Sequence, residues 1–150
     1  MTLPSTARWI LLPIASMAAC SGTVIFADAF GGEFARVVSP ERGRAIEAAV
    51  PVDVRAGIVY ALAALAFVIA GTRMAPRYRP IVGALLYGAG GCLAWWGLSD
   101  WYIPEGYPRA YQRSLTPLAL SLIGGLVGLL LILATHLRIR HAGTRSHPAG

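Results

Sequence analysis

Four stretches of this chain, at about residues 9–27, 56–72, 81–99 and 115–135, contain no Asp, Glu, Lys or Arg, and that decides which solvent the chain can fold in. As helices rising about 1.5 Å per residue, they match a hydrocarbon core about 30 Å thick. The second is the shortest and reaches both interfaces when Arg55 and Arg73 snorkel outward. Helix is the form expected, because a backbone amide left unpaired in lipid costs several kcal/mol. Composition agrees: 56% of the 150 residues are apolar and only 13% are charged, about half the charged share of an ordinary soluble chain. The expected fold is all-α, a single polytopic membrane domain of four transmembrane helices.

The helix-start signals are specific. Pro80 opens the third stretch, and Thr116 with Pro117 falls at the first turn of the fourth. Pro13 either kinks the first stretch or begins its regular part. The first connection, residues 28–55, is too long for a simple turn. Phe30, Phe34, Val37 and Val38 fall at helical spacing, and Ser39-Pro40-Glu41 reads as a second start. Short interfacial helices are expected there. Residues 141–150 read as a flexible tail.

Charge sets the orientation. The chain has no lysine; its thirteen basic residues are all arginine. Arg8, Arg73, Arg77, Arg79, Arg138, Arg140 and Arg145 lie at the ends and in the short RMAPRYRP turn, while the two other loops hold all seven acids. Short arginine-rich segments mark the cytoplasmic side, so both termini are expected to be cytoplasmic, in a bacterial inner membrane. The same distribution argues against nucleic acid as a partner despite the net charge of +6, because no basic patch interleaves with aromatics.

At the amino end, ASMAACSG resembles a lipoprotein signal ending at Cys20. Met17 stands where such signals usually carry leucine, and the apolar run continues to Ala27. An uncleaved span is therefore expected. Cys20 and Cys92 should lie at similar depth, which raises a soft-metal or redox pair, with Met17 as a further ligand; two small packing residues are the simpler reading. The four stretches carry no ionisable residue that would drive ion coupling. Only His136 stands near membrane depth, one short of a bis-histidine haem anchor. No metal, no cofactor and no enzymatic activity are expected.

What the stretches do display is small residues in order. Gly83, Gly90, Ala94 and Gly97 recur along the third, with Ala84, Gly88 and Gly91 beside them. Ser121, Gly124, Gly125 and Gly128 mark the fourth, and Gly57, Ala61, Ala64 and Gly71 the second. Small residues let helix backbones approach closely in lipid. The short loop between the third and fourth stretches predicts that their small faces pack together. Trp95, Trp96, Asp100, Trp101, Tyr102 and Arg109 form an aromatic and charged group at the outer surface, an anchor that can also meet a partner loop, a lipid headgroup or the ring of a quinone or pigment. The functional expectation is a non-catalytic accessory or assembly subunit of a larger inner-membrane complex, in contact with lipids and other membrane subunits. The alternative is a small oligomeric carrier or channel for a neutral or apolar molecule.

Overall fold

A computed structural model describes residues 4–28, 50–99 and 114–144. Four helices account for nearly all of them: α1 (Ser5–Asp28), α2 (Val52–Met74), α3 (Arg79–Leu98) and α4 (Thr116–Thr144). Each is long and apolar enough to cross a membrane, and the described residues contain no strand. The fragments expected as interfacial helices, at residues 29–49, lie outside the described residues, as do Asp100, Trp101, Tyr102 and Arg109.

The boundaries follow the chemistry at each end. α1 begins at Ser5, so Pro13 lies inside the helix rather than at its start. Lacking an N–H, Pro13 leaves the Trp9 carbonyl without its usual bond. α3 starts with Pro at its first turn, where no N–H is needed. Tyr78, just before it, adopts the left-handed conformation at φ 55°. That places the sharpest bend of the 75–78 turn on a residue with a side chain. α4 continues through residues 141–144, which were expected in the tail, to Thr144.

The most extensive pairing is α2 with α4, followed by α1 with α2; α3 packs on both α2 and α4. α2 is thus the central helix. Its pairing with α4 is parallel, with one constant register. A Cβ on Gly57 would stand 3.3 Å from Leu120 Cβ, one on Gly124 would overlap the Ala61 backbone, and one on Gly128 would stand 3.4 Å from the Leu65 carbonyl oxygen. Contacts that advance by about four residues on both helices are ridges of one helix set in the grooves of the other.

This differs from the expected pairing of small faces on α3 and α4. Those helices do touch, but glycine meets large side chain: Gly83 lies beneath Leu129 and Ile132, Gly91 beneath Leu122, and Tyr87 lies over Gly125. The close backbone approach of α4 is made to α2. A short loop ensures that two helices are neighbours, but it does not decide which face each one turns to which neighbour.

The core gathers toward the 75–78 turn, where Leu12, Phe67, Val68, Ala75, Val82 and Leu86 form one cluster. At Gly71 three helices converge, with Ser16 of α1 and Leu86 of α3 both reaching the space a side chain there would fill. The hydroxyls in this apolar setting are satisfied by their own helices. Ser16 donates to the Leu12 carbonyl at 2.9 Å, Thr72 to Val68 at 2.6 Å and Thr23 to Ala19 at 2.7 Å, the usual way a hydroxyl avoids standing bare in a helix. At the opposite end, Asp53 lies in the first turn of α2 rather than in the loop. Ser114 donates to its carboxylate at 2.8 Å while accepting from the Thr116 N–H at 3.3 Å. This fastens the entry of α4 to the entry of α2.

Candidate functional site: an apolar cleft between α1 and α3

Beyond the convergence at Gly71 the helices separate toward the end carrying Asp53. α1 and α3 share little contact there, and between them opens a cleft of about 390 Å³, within the range of small-molecule sites. α1 contributes Met17 and Cys20; α2 contributes Tyr60, Ala63 and Phe67 to the floor. α3 contributes four small residues, Gly90, Gly91, Ala94 and Gly97, between the larger Tyr87, Leu93, Leu98 and Trp96, the last 83% exposed. Glycine at position 90 brings the Phe67 ring against the α3 backbone, 3.5 Å from where a Cβ would be. Glycine at 125 lets the Tyr87 ring lie on α4, 3.0 Å from the corresponding point.

Among the described residues, none that lines the cleft carries a formal charge. Its polar groups are few. Tyr60 and Tyr87 bring phenol hydroxyls, Cys20 a thiol that is free and half-buried, and Ser121 a hydroxyl. Ser121 is the exception among the buried hydroxyls. The residue is 6% exposed and borders the cleft, where its oxygen is not closed off as a buried atom without a partner, whereas Ser16 and Thr72 bond back to their helices.

The residues singled out in the sequence divide accordingly. Gly124 and Gly128 lie against α2, Gly83 lies under α4, and Gly90, Ala94, Gly97, Ser121 and Gly125 line the cleft. A Cβ added at Gly97 or Gly88 would meet no described atom within 4 Å. Trp95 is exposed without lining the cleft. Cys20 lines it and Cys92 does not; Cys92 is exposed on another face, so the two thiols do not converge. No group of metal-ligating side chains occurs among the described residues. Sequence reasoning did not pick out Phe67, Tyr60 or Tyr87, because an aromatic residue in an apolar helix gives no sign of which gap it borders.

A second concavity lies at the 75–78 turn, formed by Arg77, Tyr78, Arg79 and His136. All four side chains are exposed. This cationic end suits a phosphate-rich interface. No known protein family, curated protein or solved structure matches the chain.

Proposed function

We propose that this chain is a polytopic protein of a bacterial inner membrane, with the arginine-bearing 75–78 turn and both termini on the cytoplasmic side. We further propose that it serves as a non-catalytic accessory or assembly subunit, offering helix surface to neighbouring membrane subunits. The observation that carries this is the open glycine face of α3. A Cβ on Gly88 would meet no described atom within 4 Å, and Ile81 and Trp95, seven residues to either side and so on the same helix face, are both exposed. Helices in lipid associate by close packing, and a glycine turned to lipid forgoes that contact. A groove of this kind fits the ridge of another protein's helix. α1 adds to the picture, since it is held along α2 and leaves Ile10, Ile14, Ile25 and Phe26 exposed.

The carrier reading draws on the cleft, but a carrier needs a way through. The cluster of Leu12, Phe67, Val68, Val82 and Leu86 fills the bundle toward the 75–78 turn, and this favours the subunit reading. Purification from native membranes in mild detergent tests it. Stoichiometric co-purification with a larger complex is expected, and Gly88→Leu should abolish it without lowering the stability of the isolated chain. A homogeneous homo-oligomer, with or without the substitution, would overturn the proposal.

A further inference from the structure

The concavity at the 75–78 turn holds about 420 Å³ and joins two parts of the chain that are far apart in sequence. The turn and the start of α3 supply Arg77, Tyr78, Arg79, Pro80 and Ile81, and α4 supplies His136. Packing below it sets this meeting: Gly83 lies beneath Ile132, so His136, one turn beyond Ile132, comes level with Arg79, one turn before Gly83. The Arg79 Nε donates to the Ala75 carbonyl at 3.5 Å, which leaves the two terminal nitrogens of the guanidinium to a ligand. No acidic side chain lines the concavity. In the described helices the acids stand at the far end, Asp53 in the first turn of α2 and Asp28 at the close of α1. Two guanidinium groups without a carboxylate between them suit a phosphate, because the planar fork matches two of its oxygens at once. Tyr78 holds the turn at φ 55°, a strain of the kind that gathers at ligand clamps.

The same concavity has an apolar edge. Pro80 and Ile81 border it, and Ile81 is 60% exposed. A soluble phosphate would use the arginines and leave this edge bare, while a zwitterionic head would bring a cation of its own toward Arg77 and Arg79. We infer that the concavity between the start of α3 and α4 is a binding site for an anionic phospholipid, with Arg77 and Arg79 holding the phosphodiester, His136 closing on it from α4, and the tails descending beside Ile81. Gly88 lies two turns further along α3, so a lipid seated here leaves that part of the helix to a protein neighbour. The site rests on the membrane reading but not on the subunit role.

The test places the full chain in nanodiscs of dioleoyl phosphatidylcholine with a rising share of dioleoyl phosphatidylglycerol, which has the same tails, and native mass spectrometry reads the lipid retained. Saturable retention of one phosphatidylglycerol per chain is expected, in preference to phosphatidylcholine and undisturbed by excess sn-glycerol 3-phosphate. Arg79→Gln should weaken it roughly 10-fold, the loss of a hydrogen bond to a charged group, and His136→Ala should weaken it as well. Both side chains are exposed, so neither change disturbs the core. Arg8→Gln removes one positive charge from the same end of the bundle, outside the concavity, and should leave retention unchanged. Equal retention of the two lipids, or equal loss in Arg8→Gln and Arg79→Gln, would overturn the site and leave only the diffuse attraction of a cationic surface. Displacement by sn-glycerol 3-phosphate would overturn the lipid as its occupant. A chain that does not stay in the nanodiscs at all would refute the membrane reading, and the site with it.

Discussion

Glycines that look alike in the sequence occupy different surroundings, and substitution separates them. Gly124 is pressed on Ala61, where a Cβ would come within 2.7 Å of the neighbouring Cα. Gly124→Ala should therefore cost about 1–3 kcal/mol in detergent unfolding, the range for overpacking. Gly128→Ile should cost at least as much. Gly88→Ala adds a methyl to open space and should be neutral or gain about 0.5–1 kcal/mol from helix propensity. Leu130→Ile, at an exposed position, should be nearly silent. A Gly124→Ala variant as stable as the parent would contradict the close α2–α4 approach. The thiols differ as well. Cys20 packs beside the core cluster, within a helix that runs on to Asp28. Intact-mass measurement should therefore find no diacylglycerol on it. Which residues are small was plain in the sequence. That Ser121 would border a cleft was not, because the gap is made by three helices and not by its neighbours in the chain.

The helices themselves were legible because a run without charge long enough to cross a bilayer admits few alternatives. α2 at Val52–Met74 and α3 at Arg79–Leu98 fall within a few residues of the charge-free stretches. Their pairing was not legible. Periodicity marks a face as suited to close contact but is silent about what it contacts, and the parallel partner of α4 lies two helices back along the chain. Asp53 also escaped, since a carboxylate near a helix start reads as a loop residue until Ser114 is seen beside it. Register can be tested by cross-linking in a background with Cys20→Ala and Cys92→Ala. Cysteines at 57 and 120 should form a disulfide under mild oxidation, because the 3.3 Å spacing at that pair is close to the Cβ separation of about 3.8 Å in a disulfide. Cysteines at 57 and 128, two turns out of register, should not. Efficient cross-linking of 90 with 124 instead would restore the glycine-to-glycine pairing of α3 with α4.

For the whole molecule, the proposed orientation makes a sharp prediction. A reporter active only outside the cytoplasm should be active when inserted near Pro40 and silent when inserted near Pro76 or after Gly143, positions that follow the arginine distribution. The reverse pattern would refute the orientation. Proton flux through liposomes containing only this chain should be absent, since none of the four charge-free stretches carries Asp, Glu, Lys, Arg or His. The parallel union of α2 and α4 has a further consequence, for the order of events during synthesis. A chain made from its amino end folds its earlier parts first, so α1, α2 and α3 are all in place before α4 emerges. Until then, the side of α2 bearing Gly57 and Ala61 lacks the helix that covers it in the finished bundle. The nascent protein passes through a three-helix stage with its most closely packed seam unsealed, and ribosome release must be followed by a docking step. That interval is when the chain is most open to capture by an insertase, to mispairing with another newly made helix, or to proteolysis.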